Sequence, residues 1–117
     1  MAKYYLQSEN LVGEFAKLSG LPFVHTYTGG GCDAIYGETS SHRIYITDGE
    51  ASVPDIGVIH YVGVYLVADD DLMGECWAAN RGELLGFFSK FSTLDELAAG
   101  LVRSVVVNVG EFDSDAY

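Results

Sequence analysis

The segment YLVADDDLMGE, residues 65–75, ends the most apolar stretch of the chain on three consecutive aspartates, Asp69, Asp70 and Asp71, with Glu75 close behind. Carboxylates ligate hard cations, and a calcium loop spaces them as D-x-D-x-D-G so that alternate side chains converge on one ion. Consecutive aspartates point in different directions, so no metal site is expected here. Asp favours turns, and Gly74 follows. A turn needs one or two aspartates, and three carry a like-charge penalty that solvent and salt reduce. The segment reads as a solvated acidic loop that also offers a docking surface.

A second chemical candidate is TYTGGGCDAIYGE, residues 26–38. Glycine-rich loops cradle phosphates when they follow a strand and open a helix. A strand pattern follows this one and no lysine is near, so a phosphate loop is not expected. Cys32, with His25 seven residues back, would set a thiol near an imidazole across a hairpin, the elements of an activated nucleophile. The plainer reading is a small residue filling the core beside a flexible hairpin. His25, His42 and His60 show no metal-ligand spacing, and Cys32 and Cys76 form no zinc pattern. No metal, cofactor or catalytic set is expected.

Tyrosines are the third candidate. Tyr45, Tyr61 and Tyr65 fall on strand faces that can be shared, with Tyr36 beside them. Tyrosine gives large contact area at low entropic cost and is enriched at interfaces. Such a face is either covered by helices or left for a partner.

Charge narrows the partner. Seventeen acidic residues against six basic ones give a net charge of -11. A phosphate backbone calls for a basic footprint, so direct nucleic-acid binding is not expected. A basic protein, in particular one with a nucleic-acid-binding face, is the partner this charge suits. The N-terminus MAKYYLQSEN has no apolar signal region, and the longest near-apolar run, GVIHYVGVYLVA, has 12 residues and includes His60. A membrane helix needs about 20. The expectation is a cytoplasmic protein with reduced thiols and no membrane partner.

The elements that must position these residues follow from periodicity. In SENLVGEFAKLSGLP, Leu11, Phe15 and Leu18 recur at helical spacing, with Val12 and Ala16 beside them. Ser8 is expected to cap this helix, Gly20 to end it and Pro22 to stop its continuation. FVHTY, CDAIYGE and HRIYIT read as strands, with Ile44 and Ile46 on one face and Arg43, Tyr45 and Thr47 on the other. GVIHYVGVYLVA is apolar on both faces, with Val58, His60, Val62, Val64 and Leu66 on one side, and is therefore expected at the sheet centre. ECWAAN reads as the next strand, NRGE as a turn and LLGFFSKF as a further strand. STLDELAAGLVRSVV is a helix with Leu94, Leu97, Ala98, Leu101, Val102 and Val105 on one stripe, opened by the capping box Thr93-x-x-Glu96. Gly100 in its middle implies close packing, here against the sheet. The tail GEFDSDAY, residues 110–117, brings Glu111, Asp113 and Asp115 and reads as acidic and mobile.

The fold class is therefore α+β. Residues 1–110 form one domain with an N-terminal helix, about five mostly antiparallel strands and a C-terminal helix, the helices on one face of the sheet. The order of elements over residues 58–105 is similar to that of some small immunity and inhibitor proteins. It contains no specific motif, and no functional residue is carried over from it. The functional expectation is a non-enzymatic acidic binding protein of inhibitor or immunity type, a class that includes phage anti-restriction and anti-CRISPR proteins. It would occlude a basic nucleic-acid-binding surface, its carboxylates mimicking DNA phosphates. Its contact residues would be Asp69, Asp70, Asp71, Glu75, Tyr45, Tyr61, Tyr65, Glu111, Asp113 and Asp115. The alternatives are an assembly protein forming a homodimer through the tyrosine face, and a small ligand-binding domain or enzyme with its site near Cys32.

Overall fold

The computed structural model describes residues 2–50, 52–102 and 106–108. Its elements are α1 (Ala2–Ser19), β1 (Val24–Gly29), β2 (Cys32–Glu38), β3 (His42–Thr47), β4 (His60–Leu66) and β5 (Leu72–Ala78), followed by α2 (Arg81–Phe88), α3 (Leu94–Val102) and β6 (Val106–Asn108). The strands form one open sheet in chain order. Neighbours from β1 to β5 are antiparallel, and the short β6 runs parallel to β5. A parallel neighbour needs a crossover connection, which α2 and α3 provide. The α+β class and the antiparallel meander agree with the sequence expectation.

Strand alternation sorts the side chains. Ile35, Ile44, Ile46, Val62, Val64, Cys76 and Ala78 are buried in one cluster with Val12 and Phe15 of α1, Leu84 and Phe88 of α2, and Leu94, Leu97 and Leu101 of α3. All three helices therefore lie on the same face of the sheet. Phe15, Phe23 and Phe88 join α1 to α2, with ring centroids 5.4 to 5.9 Å apart. The opposite face, which carries Tyr45, Tyr61 and Tyr65, has no helix on it among the described residues.

Several local expectations are corrected. The first helix begins at Ala2, so Ser8 sits within it and is not its cap. Its buried stripe is Val12 and Phe15, while Leu18 is 55% exposed. Gly20 does end it, at φ +73°, with its N–H donating to Ala16 O at 3.0 Å. Val58 lies before β4 and is exposed.

LLGFFSKF is not a strand. Residues 81–88 form α2, because Asn80 accepts from the Glu83 N–H at 3.0 Å while Glu83 Oε1 accepts from the Ala79 N–H at 3.1 Å. Those two bonds satisfy donors at the helix start, and Leu84 and Phe88, four apart, bury one face. NRGE is thus a helix start, not a turn between strands. The Thr93 cap is present: Thr93 Oγ1 accepts from the Glu96 N–H at 3.1 Å, and Glu96 Oε1 accepts from Ser92 N–H at 2.8 Å, one residue earlier than expected.

The last helix ends at Val102 and the β-branched Val106–Asn108 pairs with β5 instead, while Val105 lies outside the described residues. Gly100 does mark close packing, but against a ring: a Cβ there would lie 2.8 Å from Phe91. The tight contact between helix and sheet belongs to Gly74, where a Cβ would lie 2.2 Å from Leu101 O. Glu111, Asp113 and Asp115 lie outside the described residues. Among the described residues no helix is long and apolar enough to cross a membrane.

Candidate functional site

The helix-free face of the sheet carries rows of residues set by register. Tyr45, Gly63 and Glu75 stand opposite one another across β3, β4 and β5, and Thr47, Tyr61 and Trp77 form the next row. A bulge near the start of β5 brings Tyr65 opposite Leu72. These rows put aromatic rings beside a carboxylate and a residue with no side chain. The result is a cleft of about 770 Å³ whose lining includes Tyr45, Tyr61, Tyr65, Trp77, Glu75 and Asp70. That volume is within the range of small-molecule ligand pockets. The tip of the β1–β2 hairpin closes one end with Tyr27 and Thr28.

Gly63 lies beneath two of the lining rings. A Cβ there would lie 2.9 Å from Tyr65 Cε1 and 3.3 Å from the Tyr61 hydroxyl. Its absence lets both rings lean inward over the strand. Tyr61 packs on Trp77 at 4.6 Å between centroids, Tyr45 meets Tyr65 edge-on at 5.8 Å, and Tyr36 continues the row at 5.1 Å from Tyr45. The Tyr61 hydroxyl donates to Glu75 Oε1 at 2.7 Å. Burial pushes the Tyr61 hydroxyl well above the usual phenol range, and the Glu75 hydrogen bond adds to this, so it stays a donor at neutral pH. Tyr36 is pushed up to about 12 by burial and by Glu38, to which its hydroxyl donates.

Among the described residues no cation reaches Glu75. Arg43 pairs with Asp70 at 2.9 Å, and Arg81 with Glu14 at 2.6 Å. Glu75 is thus a half-buried carboxylate with a hydroxyl donor on one oxygen and, among the described residues, no ionic partner.

Five of the ten expected contact residues therefore come together: Tyr45, Tyr61, Tyr65, Glu75 and Asp70. Asp69 and Asp71 do not line the cleft. Asp69 Oδ1 accepts from the Asp71 N–H at 3.2 Å, Asp70 adopts φ +60°, and Leu66 and Asp71 close the loop by a backbone bond of 3.0 Å. The aspartates end a turn, and only Asp70, whose N–H closes it on Leu66 O at 2.9 Å, lines the cleft. Trp77 and Gly63 were missed. The alternation Glu75-x-Trp77 carried the signal for Trp77. Nothing local marked Gly63, whose role depends on two neighbouring rings.

The Cys32 region is arranged differently from the expected thiol–imidazole pair. His25 stands opposite Ile35, on the face of Asp33, and its Nε2 lies 2.8 Å from Asp33 Oδ2. Asp33 is buried, and its other oxygen accepts from the Val53 N–H at 3.1 Å. Cys32 projects to the opposite side by strand alternation. A smaller cavity of about 350 Å³ is lined by Asp33, Asp48, Asp55 and Ser52 among others, but not by Cys32. Its aspartates hold backbone: Asp48 Oδ1 accepts from the Glu50 N–H at 2.7 Å. Among the described residues no three His, Cys, Asp or Glu side chains are grouped to hold a metal ion.

Two further groups belong to the core. Cys76 is buried and its thiol is pushed up to about 12 by that burial, with Glu75 adding, so it resists ionisation. His60 is buried under the helices, with its Nδ1–H donating to Val58 O at 2.8 Å and no partner for Nε2 among the described residues. Burial lowers its pKa and keeps it neutral. Compared with family models, curated proteins and solved structures, the chain matches none.

Proposed function

We propose that the protein is a non-enzymatic binding protein of inhibitor type, and that its helix-free sheet face docks on a basic, nucleic-acid-binding surface of a target protein. The observation that carries this reading is the gathering of Tyr45, Tyr61, Tyr65 and Trp77 in one cleft with Glu75, a carboxylate without an ionic partner among the described residues, in a chain of net charge -11. Aromatic anchors supply contact area, and the surrounding acidity steers association and makes it salt-dependent. A cytoplasmic, reducing setting is part of the reading, in keeping with two free thiols. Pairing of this face with a second copy is the weaker alternative, because it would bring two sets of Glu75 and Asp70 together.

The test is capture of partners from a bacterial lysate on the immobilised protein at low and moderate salt, with mass spectrometry of what stays bound. A basic nucleic-acid enzyme that is retained at moderate salt, competed off by DNA and lost with Tyr45→Ala supports the reading. Retention of nothing, or of every basic protein at low salt alone and equally by the variant, refutes it.

A further inference from the structure

The docking reading leaves open what the cleft itself accepts, and the inference here rests on that reading. We propose that the cleft is a receptor for one guanidinium group, the side chain of an arginine presented by the partner. The group lies among the rings that line the cleft and directs its N–H donors at Glu75.

Three observations converge on this chemistry. The first is the uncompensated charge: Glu75 is half-buried in the middle of β5 and has no ion pair among the described residues, while Arg43 and Arg81 are held by Asp70 and Glu14. A carboxylate drawn partly out of water without a cation is unfavourable until one arrives. The second is its valence. Tyr61 donates to Oε1 alone, so Glu75 retains acceptor capacity for the planar fork of a guanidinium. The third is the wall. Tyr45, Tyr61, Tyr65 and Trp77 present π faces and edges around the same cavity, and a cation over such a face is attracted by the ring quadrupole. Arginine suits this site better than lysine. Its guanidinium is flat, weakly hydrated and able to stack, whereas an ammonium must shed a tight hydration shell and offers no plane. Arginine is one of the side chains with which nucleic-acid-binding proteins hold phosphates.

Trp77, the single tryptophan of the chain, is the probe. Its fluorescence is titrated with N-acetyl-arginine amide, the lysine analogue and the neutral, flat citrulline analogue, on the wild-type chain and on Glu75→Gln. That variant keeps an acceptor for Tyr61 and removes only charge. The arginine derivative is expected to bind about tenfold more tightly than citrulline, with lysine between them, and Glu75→Gln to reduce the preference to near unity. Equal titration by arginine and citrulline overturns the inference, since it would mean the cleft takes any flat polar ligand. An unchanged preference in Glu75→Gln also overturns it. If Glu75→Gln fails to fold, the arginine–citrulline comparison on the wild-type chain decides alone. Absence of any arginine response, with partner capture still dependent on Tyr45, overturns the guanidinium site and leaves the docking reading standing. Loss of both removes the docking reading as well.

Discussion

Gly74→Ala should break the contact between α3 and the sheet. The new methyl carbon would lie 2.2 Å from the carbonyl oxygen of Leu101, 2.7 Å from its carbonyl carbon and 3.1 Å from Val102 N. Carbon and oxygen approach to about 3.3 Å, so roughly 1 Å of movement is needed. All three obstacles are backbone, and no rotamer change relieves them. The helix cannot simply lift, because Leu97 and Leu101 are buried in the core and the chain beyond it returns as β6 beside β5. Overpacking of this kind destabilises by about 1–3 kcal/mol, and the rigid obstacle argues for the upper end. Alanine's lower conformational entropy in the unfolded chain offsets about 0.5 kcal/mol. With an unfolding entropy of about 0.25 kcal/mol/K for a chain of this length, a net loss of about 2.5 kcal/mol lowers Tm by roughly 10 °C.

The informative comparison is Gly63→Ala. The three atoms nearest its methyl belong to the outer ends of Tyr65 and Tyr61, at 2.9 to 3.3 Å, and side chains can shift where backbone cannot. Its loss of stability should stay below about 1 kcal/mol, while the emission of Trp77 changes because its neighbour Tyr61 moves. Thermal melting and urea titration by circular dichroism, read beside tryptophan emission, measure both. A Gly74→Ala protein within about 1 kcal/mol of wild type, or a Gly63→Ala protein as damaged as Gly74→Ala, would refute the reasoning from rigid and flexible neighbours.

Four other outcomes are expected. His60 has a folded-state pKa below its ordinary 6.5, so the unfolded chain takes up a proton that the folded one excludes. Its contribution to stability is therefore complete above about pH 6.5 and is lost as the pH falls from there through the folded value, at no more than about 1.4 kcal/mol per pH unit. Urea midpoints between pH 7.5 and 5 should show that fall and lose part of it in His60→Asn. Asn80→Ala removes the acceptor for the Glu83 N–H and should destabilise by about 1 kcal/mol in the same titration. At Asp70, φ +60° disfavours branched residues, so Asp70→Val should lower stability by about 1–2 kcal/mol while Asp70→Asn is tolerated. A thiol reagent at pH 8 should label Cys32 promptly and Cys76 only after unfolding, and prompt labelling of both would contradict the burial of Cys76.

Local pattern alone accounted for much of this molecule. The period of two in HRIYIT and the run through Val62 and Val64 identified β3 and β4 as strands, but the second run read as apolar on both faces and did not single out its core side. The stripe through Leu94, Leu97 and Leu101 and the Thr93–Glu96 cap identified α3. Such signals are contained within a few residues, because they follow from backbone geometry and from which side chains avoid water. The error at α2 shows the limit. Leu84, Leu85, Phe87 and Phe88 form a short apolar run that suits a strand or a buried helix, and Asn80-x-x-Glu83 was the cap that distinguishes them.

What only the folded chain decided is the site. Tyr45, Gly63 and Glu75 are up to 30 positions apart and become neighbours through the registers of two strand pairs. Arg43 pairs with Asp70 across 27 residues and Arg81 with Glu14 across 67, and among the described residues no cation pairs with Glu75, which no count of charges reveals. Composition gave an acidic protein with many tyrosines. Sheet pairing and the gathering of α1, α2 and α3 on one face turned those residues into a cleft whose carboxylate, among the described residues, has no cation.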